Sequence, residues 1–242
     1  METKQIIINA FKANNIQLTQ AQAGLFDKYY ALLIEYNQKF NLTNITDIYE
    51  VATKHFVDSV FGSALIKPRA NIIDIGCGAG FPSIPLAIMR PDINITMIDS
   101  VGKKIGFIDI VIKELNLKNC TAQHTRAQEF CIKQQREGFD CVVARALAPL
   151  NILIELCVPF LKQNGVMLAY KGQNYQTEVE KAENAFSKLF AKVNNIYSYQ
   201  LIHTTGDNQQ EDYSRYILEI TKQKQTPKIY PRLKNLIKTN PL

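Results

Sequence analysis

Early in the chain, apolar residues recur at three- and four-residue steps, at Leu25, Tyr29, Leu32, Tyr36 and Phe40, the spacing of one helix face. Thr19, with Gln22 three residues later, supplies a capping-box start for that helix. The polar turn Asn41-Leu42-Thr43-Asn44 ends it, and a further helix is predicted over 48–63. Residues 1–65 therefore read as a helical extension packed on the main domain. From about residue 67 the period changes. Short apolar runs at 71–74, 94–99, 120–124, 139–144 and 165–170 alternate with helical segments at 82–89, 103–116, 127–135, 149–161 and 177–190. Alternation of this kind predicts a parallel sheet covered by helices on both faces. Two later runs, 193–199 and 214–220, are joined by a polar loop at 204–211 without a helix, so an antiparallel edge pair is expected. The prediction is an α/β fold with a mainly parallel seven-stranded sheet in residues 66–220 and a separate C-terminal stretch at 221–242.

The first strand runs straight into a glycine-rich turn, Asp74-Ile75-Gly76-Cys77-Gly78-Ala79-Gly80-Phe81-Pro82. A dinucleotide-binding loop needs a third glycine where this chain has Phe81. Gly-Cys-Gly-Ala-Gly is instead similar to the first motif of class I S-adenosylmethionine-dependent methyltransferases, which implies the Rossmann-like sheet of that class. Three glycines within five residues remove side chains and leave room for the amino-acid and sulfonium end of such a cofactor. The second run ends at Asp99, about 20 residues past the glycines, where a carboxylate can accept from ribose hydroxyls.

Ligands of doubly wound sheets sit outside the carboxyl ends of the strands, so the residues after each strand are the candidates. These are Gly76, Gly78 and Phe81, then Asp99, then Ala127 and Gln128. The segment 125–129 reads equally as an adenine contact or as a helix cap and first turn. Arg145 follows the fourth strand and Lys171 the fifth. A structural ion pair is the alternative, but both are read as contacts to the cofactor carboxylate or to RNA that position the reactants.

Composition narrows the setting. With 46% apolar and 21% charged residues, the chain can bury a full core. No apolar run approaches the ~20 residues that span a membrane, so no membrane partner is expected. The apolar N-terminal run is too short for a signal peptide, which predicts a cytoplasmic protein. Five widely spaced cysteines without a C-x-x-C pair, and three histidines without ligand spacing, predict no metal. The net charge of +6 is concentrated: residues 221–242 hold six basic residues (Lys222, Lys224, Lys228, Arg232, Lys234, Lys238) and no acidic one. Such a run is often a solvated tail, but Pro227, Tyr230 and Pro231 are interleaved with the cations here, so contact with a polyanion, favoured by counterion release, is expected of this basic tail.

Two absences bear on the chemistry. The stretch Ala144-Arg145-Ala146-Leu147-Ala148-Pro149 lacks the Asp/Asn-Pro-Pro-aromatic motif of amino-group methyltransferases. No cysteine is placed like the loop nucleophile of cytosine-C5 enzymes. A ring nitrogen such as guanine N7 already offers a lone pair, so orientation, which can supply on the order of 7–11 kcal/mol, suffices.

Across nearly its whole length the chain resembles the RsmG/GidB family, bacterial methyltransferases acting on N7 of a guanine in 16S rRNA. The resemblance rests on Phe40-Asn41-Leu42-Thr43, His55-Phe56-Val57-Asp58-Ser59, the glycine loop, Asp99-Ser100-Val101-Gly102-Lys103-Lys104, Ala144-Arg145-Ala146 and Lys171-Gly172. It implies that Gly76 and Phe81 line the cofactor loop, Asp99 takes the ribose, Ala127 and Gln128 flank the adenine, and Arg145 closes the pocket near the methyl. The family usually has Glu where this chain has Gln128. Its C-terminal signature opens here as Tyr230-Pro231-Arg232 and then departs. The expected cofactor is S-adenosyl-L-methionine, the partner the small ribosomal subunit, and the protein a monomer. The alternative is methylation of another RNA or of a small molecule.

Overall fold

A computed structural model describes residues 2–204 and 210–242; part of the expected loop at 204–211 lies outside them. Two helices, α1 (Thr3–Ala13) and α2 (Gln20–Phe40), come first. Thr19 caps α2: its hydroxyl accepts from the Gln22 amide, while the Gln22 side chain accepts from the Thr19 amide. Asn41 ends the helix at a left-handed φ of 49°. The helix expected over 48–63 is composite. It opens as α3 (Ile48–Glu50), widens into a π-helix over Val51–Val57, returns to α in α4 (Asp58–Val60) and closes as a 3-10 turn over Phe61–Leu65.

The alternating region follows as β1 (Asn71–Ile75), α5 (Ser83–Met89), β2 (Asn94–Asp99), α6 (Gly102–Glu114), β3 (Cys120–His124), α7 (Ala127–Phe130), β4 (Phe139–Arg145), α8 (Leu150–Cys157) and β5 (Leu161–Lys171). Then come α9 (Tyr175–Lys181), α10 (Glu183–Leu189), β6 (Ala191–Thr204), β7 (Gln210–Lys222) and α11 (Lys234–Thr239). Helix α8 stops four residues short of the expected 161, because Pro159 has no amide hydrogen to continue it. Leu161 instead starts β5, opposite Phe139. The helix expected over 177–190 is two helices that meet at Ala182.

The seven strands lie in the order β3-β2-β1-β4-β5-β7-β6. Strands β1 to β5 are parallel, and β7 runs antiparallel to both neighbours, β5 and β6. The order turns back at β1, so the connections leaving β1 and β4 diverge and open a crevice at their carboxyl ends. Strand side chains alternate between two cores. Ile72 joins the apolar cluster under α1, α2 and the 48–65 run, and Ile73 joins the cluster under α8 and α10. Asn14, at the end of α1, donates to Ile202 O and accepts from Ile202 N, both at 2.8 Å, which covers the exposed edge of β6.

Residues 221–242 are held against the body of the protein. Lys222 is fully buried, 2.5 Å from Glu137 and donating to Leu161 O. Arg136 donates to the carbonyls of Thr226, Pro227 and Tyr230. Arg232 grips Glu155 of α8, Nε to Oε1 at 2.8 Å and Nη2 to Oε2 at 2.7 Å. Two of the six cations in this stretch are therefore neutralised internally, and the free positive field is smaller than the residue count implies.

Candidate active site

A cavity of about 700 Å³ occupies the crevice at the carboxyl ends of β1, β2, β3 and β4. Gly76, Gly78, Phe81, Asp99, Ala127, Gln128 and Arg145 all line it. Seven of the eight candidate residues thus line one cavity. The glycines have separate tasks. Gly78 (φ +59°) faces open space, and an added Cβ would meet nothing closer than Gly76 O at 4.0 Å, so a side chain there would project into the cavity. Gly76 (φ +74°) lies under Leu147. Gly80 (φ +100°) is pressed against Ile84, Ile108 and the Tyr29 hydroxyl, so it serves packing rather than room for a ligand. Asp99 is held by two amides, Gly78 N to Oδ2 at 3.0 Å and Val101 N to Oδ1 at 2.9 Å. A carboxylate has about four acceptor sites, so capacity remains for ribose hydroxyls. Beneath the loop, Asp74 Oδ2 accepts from Ser83 while buried Oδ1 has no partner. Burial pushes this carboxyl up to about 7.

Arg145 ends β4 on the cavity wall, followed by Ala146 at a strained φ of +53°. Its Nη1 donates to Asp58 Oδ2 at 2.9 Å and to Lys54 O at 3.1 Å. Its Nη2 lies 3.3 Å from His55 Nδ1, and the guanidinium sits over the Phe81 ring at 5.1 Å. His55 stacks on the other partner of this cluster, Phe81, at 4.4 Å. Burial first, and Arg145 second, lower His55 to about 3, so the ring is neutral at physiological pH. With Arg145 donating to Nδ1, the neutral ring carries its proton on Nε2 and donates to Thr43 Oγ1 at 2.9 Å. Asp58 is the hub: its second oxygen accepts from Tyr199 OH at 2.9 Å and lies 3.8 Å from Arg215 Nε.

Lys171 does not line this cavity. Its ammonium pairs with Glu178 at 2.6 Å and donates to Ala148 O, while Glu178 also accepts from the Leu150 amide at the start of α8. It lines a second, wider space of about 1140 Å³ that shares His55 and the 145–149 segment with the first. That space carries five cations, Lys54, Arg145, Lys171, Lys181 and Arg215, against two carboxylates, Asp58 and Glu178. Among the described residues no group of His, Cys, Asp and Glu could hold a metal, and no helix is long and apolar enough to cross a membrane.

A family described as GidB, rRNA small subunit methyltransferase G, matches residues 22–205. The chain belongs to that family. Among curated relatives, ribosomal RNA small subunit methyltransferase G of Staphylococcus aureus is 40% identical over 95% of this chain and 94% of its own. The protein of that name from Desulforamulus reducens is 42% identical over 92% and 91%. Solved structures share the fold at low identity. A precorrin-6y C5,15-methyltransferase from Geobacter metallireducens aligns with a TM-score of 0.53 at 17% identity, over 76% of this chain and 92% of that one. A SAM-dependent O-methyltransferase from Thermotoga maritima gives 0.53 at 15%, over 81% and 73%.

The sequence alone does not place His55, Asp58, Tyr199, Arg215, Ile237 or Lys238 at the cavities. His55 and Asp58 carry a visible signal, since they are ionisable residues among the polar interruptions of the run 51–60, with Thr53, Lys54 and Ser59. The π-helix there brings Lys54 and His55 to the cavity walls. Tyr199 and Arg215 reach the site only because β7 folds back between β5 and β6.

Proposed function

We propose that the protein transfers a methyl group from S-adenosyl-L-methionine to N7 of a guanine in 16S rRNA of the small ribosomal subunit, working as a monomer in the cytoplasm. The observation that carries this reading is the pairing of the open Gly78 turn with Asp99 on the wall of a cavity that continues into a cationic one. The residues present fit the cofactor. Asp99 has acceptor capacity for the ribose, Ala127 and Gln128 lie where an adenine would reach, and the orphaned Asp74 Oδ1 lies beneath the loop that would hold the amino-acid end. When bound, the cofactor supplies an electrophilic methyl on a sulfonium.

The second cavity is the place for the target base. In A-form RNA, N7 lies in a deep major groove that side chains do not reach, so the guanine must come from a loop or be swung out. Lys54, Lys181 and Arg215 are positioned to meet the phosphates around it. N7 has a free lone pair and loses no proton on methylation, so no base is required. The positive charge moves onto the purine. Arg145 beside it is already neutralised by Asp58, which lowers the repulsion that a bare guanidinium would exert. The work of the chain is orientation: Arg145 and His55 fix the junction of the two cavities.

The test is transfer of labelled methyl from S-adenosylmethionine to small-subunit rRNA, with borohydride and aniline cleavage to find N7-methylguanine. One new cleavage site is expected. Label without cleavage would discard the N7 assignment, and no label on RNA or subunits would discard the RNA substrate.

A further inference from the structure

The C-terminal stretch was read from sequence as a tail, yet its helix α11 reaches the cofactor cavity. Ile237, only 2% exposed, and Lys238 line it. Helix α11 packs on α8, whose Ile152 and Leu156 line the same cavity one turn apart. Helix α7, which carries Ala127 and Gln128, packs on α8 as well. Residues from α7, α8 and α11 thus surround the part of the cavity assigned above to adenine, a flat and largely apolar ring.

The attachment of α11 is specific. Glu155 is wholly buried in the apolar sequence of α8, and both its oxygens are taken by Arg232, with the Arg232 amide donating to Oε1 at 2.9 Å. A buried carboxylate is tolerated only when paired in this way. Arg232 Nη2 also donates to Asn240 O at 3.1 Å, so one guanidinium fixes both ends of α11 over the cavity edge.

We propose that residues 232–240 form a strap that completes the adenine end of the cofactor cavity, with Ile237 as its apolar contact. This rests on the cofactor reading given above. The strap and the cofactor then stabilise one another: a bound ligand holds α11 down, and a docked α11 shields the ligand from water.

Two measurements on the full chain test it, with S-adenosylhomocysteine as the probe. By titration calorimetry, Ile237→Ser should weaken binding about tenfold, and Ile237→Leu should stay within about twofold of the wild type. In the wild type, saturating S-adenosylhomocysteine should slow tryptic cleavage after Lys238 by about tenfold or more. Unchanged affinity in Ile237→Ser, or cleavage indifferent to the ligand, overturns the strap and leaves the cofactor reading intact. A wild-type protein that does not bind S-adenosylhomocysteine overturns both.

Discussion

The cavity is supported from two directions by parts of the chain outside the alternating strands and helices, and the two supports use different physics. On the N-terminal side the support is aromatic. Phe11, Phe26, Phe56 and Phe81 form a continuous run of rings with centroids 4.9–6.1 Å apart, and Tyr29 donates to Ala79 O of the glycine loop at 2.6 Å. On the C-terminal side it is ionic: Arg232 with Glu155, Lys222 with Glu137, and Arg136 with three carbonyls. The aromatic support belongs to the main core, so loosening it loosens the whole protein. The ionic support clips a short segment to the outside of α8 and can open while the rest stays folded.

The largest expected effect is at Phe56, which touches Phe26, Tyr29 and Phe81. Phe56→Ala should cost about 3–5 kcal/mol in denaturant unfolding, in a single transition. A loss below about 1 kcal/mol, or two transitions, would break the claim that the helical extension and the sheet share a core.

Acid should strike the aromatic side through His55. Its folded pKa, about 3, lies below the unfolded value, so the unfolded chain takes up the proton first as pH falls. Stability contributed by the neutral ring is complete above about pH 6.5 and declines below it, by about 2 kcal/mol at pH 5. Between pH 6.5 and 5, His55→Gln should gain roughly 1.5–2 kcal/mol of stability relative to the wild type, a difference from which the opposing contribution of Asp74, raised to about 7, cancels. An unchanged slope would move the acid sensitivity elsewhere, the ionic side included.

Asp58 is the charged hub within the aromatic side. Asp58→Asn should lower kcat for RNA methylation about tenfold, the size of one charge-assisted hydrogen bond, with S-adenosylhomocysteine affinity unchanged. A loss confined to cofactor affinity would show that Asp58 shapes the cavity rather than the position of Arg145. The smallest global effect belongs to the clip. Replacing both partners, Arg232→Met with Glu155→Leu, so that no buried carboxylate is left unpaired, should change the unfolding free energy by no more than about 1 kcal/mol while speeding proteolysis within 221–242. A drop as large as that of Phe56→Ala would erase the contrast between the two supports.

What could be read in the sequence was local. The change of apolar period at residue 67 marked the sheet, and the glycine turn with Asp99 marked the cavity, because each signal is contiguous or lies at a fixed spacing. What escaped depends on long-range closure. Asp58 meets Arg145 87 positions on and Tyr199 141 positions on, and no periodicity encodes either pairing. Glu155 is a carboxylate in an apolar helix, but its partner Arg232 lies 77 positions on and counts among the basic residues of 221–242 until the pairing is seen. The charge total of 221–242 was correct and misleading, since residue counts do not register pairing. The π-helix was invisible because Val51, Ala52, Phe56 and Val57 fit an ordinary helix face equally well.

The position of β7 between β5 and β6 has a consequence for how the chain is made. Synthesis delivers β6 before the strand it bonds to, and α11 later still. While translation is under way, the sheet is unfinished on that side and the pocket lacks one wall, although the glycine turn and Asp99 have long since emerged. Domains that fold as they are synthesised generally do so from the N-terminal end, and this one can complete its pocket only when most of the chain is free.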